Sequence, residues 1–262
     1  MRCGPSPVTA GGTHSSRRGV TLVELMVVIA IIASLAAVSM TVFIRSKSKA
    51  ENIRALKNME QIGSAMGNYM TENDHLPAFK DTGVSPKYST SEPYTQASVL
   101  LSKLGLGEAT SKTQYAEIFR PPGLKGDMLN GHKYWYDLVC FAMYNADYFA
   151  TTKAYLPKGA MKDDEGQDVG PFGRFSGGDA PSAEGWTAAQ LQAALSKFSR
   201  EHNDRDADLS RVPAMLEINA QYPSRGGWPW PVPKKPLYGN QINVLYFDWH
   251  VGSVAPRYFY TE

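Results

Sequence analysis

Between Leu25 and Phe43 the chain runs for 19 residues without a charged side chain, and no comparable stretch follows. As a helix rising about 1.5 Å per residue, such a run matches the roughly 30 Å of a bilayer's hydrocarbon core. One membrane segment is therefore the limit, and a multi-pass transporter is excluded. The whole chain of 262 residues, 43% apolar and 20% charged with a net charge of +2, is too apolar and too evenly charged for a disordered or polyanion-binding protein. Its length suits one large domain or two small ones.

The residues before the run read as an address. Positions 1–19 carry Arg2, Arg17 and Arg18, no acid, and several Gly, Ser, Pro and Thr residues, without the periodicity of a folded element. A secretory signal would follow such a basic region with a shorter apolar core of about 7–15 residues and a small-residue cut on its far side, for which Ala33, Ala36 and Ala37 would serve. The run here is longer, so it reads as a helix that the mature chain keeps. Its start also holds a glutamate, Glu24. A carboxylate in hydrocarbon costs a few kcal/mol and is by default a functional group. Lying about 6 Å from the start of the segment, it could also reach the headgroups.

The junction Arg17-Arg18-Gly19-Val20-Thr21-Leu22-Val23-Glu24-Leu25 combines a basic pair, a glycine, a glutamate at the fifth position after it and then the unbroken apolar run. This resembles the type IV prepilin signature shared by pilins and by the pseudopilins of type II secretion systems. The resemblance implies that a prepilin peptidase cuts after Gly19 and methylates the new amino terminus at Val20, where the family usually has phenylalanine. It also implies that Glu24 is the buried acid of subunit assembly. In a helical stack, the new amine of one chain and the Glu24 carboxylate of the next would relieve each other's desolvation. The partners so implied are other pilin-like subunits, the peptidase, a pilus or type II secretion assembly machinery, and membrane lipid. The implied location is the bacterial inner membrane, single-pass, with the head in the periplasm or on a filament. Charge counting points the other way, because Arg45, Lys47, Lys49, Arg54 and Lys57 outnumber the basic residues before the span. The orientation rests on the resemblance.

The fold class expected is α+β: one long N-terminal helix packed on a small antiparallel sheet. Four segments follow, a leader at 1–19, a membrane and assembly helix at 20–44, its amphipathic continuation at 45–76 and a globular head at 77–262. Ile53, Leu56, Met59, Ile62, Met66 and Tyr69 recur every three or four positions, and no proline interrupts Val20 to Leu76, so a helix of about 75 Å is expected, stopped by Asn73, Asp74 and Pro77. Within the head, Tyr134–Phe141 and Ile242–Phe247 read as strands, Ser85–Thr95 and Lys158–Asp179 as turn-rich segments, and Thr187–Phe198 as a helix with Leu191, Ala194, Leu195 and Phe198 on one face.

The stretch from Tyr238 to Val251 carries a second resemblance, to the C-terminal motif of pilin-like proteins of Planctomycetes and Verrucomicrobia. Two positions depart from it: Tyr238 stands in place of a histidine, and Trp249 in place of a glycine. Glycine there suits a hairpin turn with positive φ, so tryptophan implies a different or a strained turn.

No constellation for catalysis stands out. Once Cys3 leaves with the leader, Cys140 has no partner for a disulfide, and in an aromatic surrounding it reads as a small apolar filler. Asp204, Asp206 and Asp208 alternate like the first three ligands of a calcium loop, and some pseudopilins bind calcium. Leu209 and Met215, however, stand where the loop glycine and the bidentate glutamate should be. Asp163, Asp164, Glu165 and Asp168 form a second acidic cluster; both clusters read as solvated loops, with calcium the one cofactor they admit. His75, His132, His202 and His250 have no zinc spacing. Removing Arg2, Arg17 and Arg18 from 27 Lys and Arg leaves 24 against 25 Asp and Glu, so nucleic acid is not expected as a partner. The Trp- and Pro-rich stretch Tyr222–Pro236, with Trp228 and Trp230, is either an adhesive or carbohydrate-contacting surface or a packed loop. The expected function is thus a filament subunit and not an enzyme, with a membrane-anchored binding or hydrolytic domain as the alternative.

Overall fold

The computed structural model describes residues 19–81, 83–129, 131–143, 161–162, 168–173, 184–202, 208–221 and 231–255. In chain order the elements are α1 (Leu22–Asn73), β1 (Lys87–Tyr88), α2 (Gln96–Val99), β2 (Gln114–Tyr115), β3 (Phe141–Met143), β4 (Met161–Lys162), β5 (Asp168–Val169), α3 (Ala188–His202), β6 (Pro213–Glu217), β7 (Ile242–Tyr246) and β8 (Val251–Val254). The architecture is the expected α+β with a long N-terminal helix. The chain divides into two compact units, Met1–Ser46 and Lys47–Glu262, so the second part of α1 belongs to the head.

In the second unit, β3-β6-β7-β8 form an antiparallel sheet, and β1-β2 and β4-β5 form two further two-stranded antiparallel pairs. The inner strands β6 and β7 are buried along their whole length. Such burial requires both faces of the sheet to be covered, and period-two alternation assigns the faces. Leu245 lies against Gly63 of α1 and Asn243 bonds to Asn52 of α1, so these residues face the helix. Ile242, Val244 and Tyr246 point to the other face, as the alternation in sequence predicts. Met59, Ile62 and Met66 of α1 are wholly buried in the core. Ile53, expected on the same stripe, is 58% exposed instead. At about 100° per residue, the two three-residue steps from Ile53 to Met59 leave it about 120° round the helix.

The helix ends where Asn73, Asp74 and Pro77 predict. Asn73 Nδ2 donates to the Tyr69 carbonyl at 2.8 Å, and Asp74 takes the left-handed conformation, φ 63°, that closes helices. Thr187, expected inside the later helix, instead caps α3. Its hydroxyl accepts the Gln190 amide, and the Gln190 side chain accepts the Thr187 amide, a reciprocal capping box. Leu191, Ala194 and Leu195 are buried as the stripe requires. The segment from Tyr134 to Phe141 corrects the strand reading. Trp135–Asp137 is a 3₁₀ turn, closed by the Asp137 carboxylate accepting the Tyr134 amide, and only from Phe141 does the chain join the sheet. An aspartate able to bond its own backbone outcompetes the β preference of the neighbouring rings.

The β7-β8 hairpin keeps the backbone that a glycine would have had. Trp249 adopts φ 70°, the left-handed position of a three-residue loop, bounded by Tyr246 N–H donating to the His250 carbonyl at 3.0 Å. The strain, about 1–3 kcal/mol for such a residue, is offset by packing. A Cβ on Gly67 of α1 would come within 3.1 Å of the Trp249 indole nitrogen, and one on Gly63 within 2.7 Å of Leu245. Bare helix surface is what admits the hairpin tip.

Below this contact lies a buried polar cluster joining the helix to three strands. Asn243 donates from its backbone to Glu217 Oε2 at 2.9 Å and from its side chain to Asn52 at 2.8 Å, while Ser253 donates to the Asn243 side-chain oxygen. Glu217 is 3% exposed, and burial pushes its carboxyl up to about 8 although the Asn243 hydrogen bonds pull it down. A proton held by the folded state and not by the unfolded one between about pH 4.5 and 8 makes stability fall as pH rises through that window. Glu217→Gln is accordingly expected to flatten a slope of up to about 1.4 kcal/mol per pH unit and to raise stability at pH 8, as measured by urea denaturation across pH. Gly67→Val is expected to displace the Trp249 indole and destabilise the head by about 1–3 kcal/mol, read as a lower Tm.

Candidate functional site at the amino-terminal helix

The first unit contains the residues that the prepilin signature singles out. Gly19 and Val20 are exposed and precede the helix in irregular backbone, and nothing approaches the Gly19 Cα from the side where a Cβ would stand. No described residue covers the Gly19–Val20 bond. Thr21 then starts the helix. Its backbone N–H and hydroxyl both donate to Glu24 Oε2, at 2.8 and 2.9 Å, and its hydroxyl accepts the Glu24 amide at 3.2 Å. Thr-x-x-Glu at a helix start is a capping box, in which each side chain satisfies a backbone donor that the helix leaves unbonded. The structure brings Thr21 and Glu24 together. Thr21 was not singled out in the sequence, and the signal that could have found it is the three-residue spacing to Glu24.

From Leu25 to Ile44 the described residues leave the apolar side chains of the helix largely uncovered. Every large apolar side chain described from Val20 to Ile44 is more than half exposed, from 51% at Val28 to 77% at Val20. An apolar surface all round a helix demands either lipid or other helices. The helix is long and apolar enough to cross a membrane once. Its few polar side chains are prepared for hydrocarbon: Ser34 and Ser39 donate back to the carbonyls of Ile31 and Leu35, both at 2.8 Å.

Residues 14–40 match the model of the prokaryotic N-terminal methylation motif. The amino-terminal segment is type IV pilin-like. The chain is 34% identical over 71 residues to the type IV major pilin protein PilA of Myxococcus xanthus, a similarity covering 27% of this chain and 32% of that pilin. The chain thus spans about a third of the length of that pilin. No solved structure matches it.

The other sequence candidates are not assembled into a site. Asp204 and Asp206, Trp228 and Trp230, and Asp163, Asp164 and Glu165 of the second acidic cluster lie outside the described residues. Asp208 accepts the Ser210 amide at 3.0 Å and so caps the turn Leu209–Arg211. Among the described residues no three His, Cys, Asp or Glu side chains are grouped to hold a metal ion. Cys140 is buried beside β3, and burial first, then the Glu217 carboxyl, push its thiol up, the opposite of an activated nucleophile. His75 and His250 have acidic neighbours in Glu184 and Asp248. Thr21→Val is expected to fray the first turn, so that the Glu24 amide exchanges faster with solvent in NMR spectra of the detergent-solubilised chain.

Proposed function

We propose that this chain is a structural subunit of a type IV pilus or a type II secretion pseudopilus. A prepilin peptidase cuts between Gly19 and Val20 on the cytoplasmic side and methylates the Val20 amine. The helix remains on the mature protein, holds it in the inner membrane with the head in the periplasm, and then packs against the helices of other pilin-like subunits in a filament. The observation that carries this reading is an exposed glycine–valine bond next to a capped helix whose apolar surface the described residues leave uncovered.

Glu24 has successive roles on this reading. In the single chain its carboxylate is held by Thr21 at the helix start. In the assembled state the cleaved amine of a neighbouring Val20 approaches that carboxylate, so that two charges costly in an apolar core neutralise each other and set the register between subunits. The positive N-terminal end of the helix also favours an acid there.

Filaments isolated from cells and analysed by mass spectrometry are expected to contain a chain beginning at methylated Val20. An uncut chain beginning at Met1, dispersed in the membrane, would reject the proposal in favour of a membrane-anchored binding or hydrolytic domain. Glu24→Ala is expected to leave cleavage intact and to reduce incorporation into filaments; normal incorporation would discard the charge pairing.

A further inference from the structure

The cations that follow the apolar half of α1 have no protein partners. Lys47, Lys49 and Arg54 stand at the start of the second unit, all three are exposed, and none is paired with an acid among the described residues. Arg45 precedes them in sequence. We propose that these side chains bind the headgroups of acidic phospholipids. The proposal rests on residues 22–44 being a membrane segment and holds for either orientation of that segment.

The cations are free because the nearby acid is engaged elsewhere. Other charges of α1 are paired: Lys57 with Glu60 at 3.6 Å, and Glu72 with Lys103. Between Glu24 and Glu60 the sequence holds a single acid, Glu51. It stands four residues after Lys47, the spacing at which helical ion pairs form, yet makes none. Glu51 is half-buried instead, where its charge reaches the buried Tyr238 phenol. Ser48 is exposed beside Lys47 and Lys49. Its hydroxyl, unlike those of Ser34 and Ser39, bonds to no carbonyl of the described residues and adds a neutral donor.

Helical spacing brings these donors to headgroup level. Lys47 and Lys49 follow Ile44, the last residue of the apolar run, by about 4.5 and 7.5 Å. A headgroup layer is about 5–8 Å deep on each side of the hydrocarbon. Arg54 lies about 15 Å past Ile44, but helical side chains lean toward the N-terminus, here toward the apolar segment, and its long stem shortens the gap. At about 100° per residue Lys47 and Arg54 share one side of the helix and Lys49 stands about 160° away, so lipids are met on opposite sides. Unpaired ammonium and guanidinium groups select phosphate oxygens. They favour a headgroup of net negative charge over a zwitterionic one, whose own cation competes. A soluble polyanion would feel the same charges, but the adjoining apolar span holds lipid, and no soluble ligand, beside them.

The test places the full chain in phosphatidylcholine vesicles with Met40→Trp as a reporter. Met40 is 60% exposed and lies about one turn before Ile44. Quenching of this reporter by brominated phosphatidylcholine is compared with quenching by brominated phosphatidylglycerol. Phosphatidylglycerol is expected to associate about fivefold more tightly, and high salt to reduce the preference. The triple variant Lys47→Gln, Lys49→Gln, Arg54→Gln is expected to bring the ratio near one. Lys57→Gln, at a cation already paired with Glu60 and about 20 Å past Ile44, is expected to leave it unchanged. Equal association of the two lipids overturns the proposal, and binding of polyphosphate by such a chain in detergent would assign the cations to a soluble polyanion. A preference that survives in the folded triple variant overturns it as well. Should that variant fail to fold, the parent decides, since a preference indifferent to salt is not one of charge. Absence of quenching by either lipid would reject the membrane segment itself, and the headgroup site with it.

Discussion

In hydrocarbon a backbone must satisfy its own hydrogen bonds, and the free first turn of a helix is where this is hardest. Residues 22–44 meet the demand with uninterrupted helix, with serines that bond back to carbonyls, and with a threonine and a glutamate that close the first turn on each other. The same solution leaves an apolar surface that the described residues of the chain do not bury. Both the membrane anchorage and the assembly reading depend on this surface. The carboxylate that completes the cap is also the one charge within the greasy segment, so the assembly proposal turns on a residue that already has a local structural role.

The head solves a different problem, since its part of the helix has to bury one face only. Packing there depends on small residues opposite large ones. Gly63 and Gly67 leave room for Leu245 and Trp249, and Trp249 accepts a left-handed backbone to reach the space. Beside that apolar contact, Asn52, Asn243, Ser253 and Glu217 form a directional one. Apolar contacts tolerate sliding, whereas a hydrogen-bonded cluster of this kind fixes one register of helix on sheet. Burying a carboxyl in it makes the head's stability sensitive to pH.

The differences between expectation and structure share a cause. Ile53 satisfied the spacing rule but not the helix's angular drift, because a stripe read in steps of three rotates away from the core. The Tyr134–Phe141 segment has the composition of a strand, yet one aspartate turns its backbone and its rings stack on one another instead of alternating across a sheet. Thr187 and Thr21 have the same chemistry at two helix starts, and both were legible from the Gln and Glu three residues on. Trp249 was legible as a strained turn, but its partner glycines were not, since they lie far away in sequence.

By itself the sequence determined the long helix, its membrane-compatible half, the prepilin-like junction at Gly19 and Val20, and the α+β character of the head. These are properties of neighbours along the chain: runs of apolar residues, spacings within a turn, breakers at an end. Only the tertiary structure decided which strand residues face the helix, that Glu217 is buried and raised, that Trp249 rests on Gly67, and that Tyr115, Tyr134 and Tyr136 stack on one another. Each of these joins residues brought together by chain reversals, and burial and electrostatic environment arise from such meetings, not from local spacing.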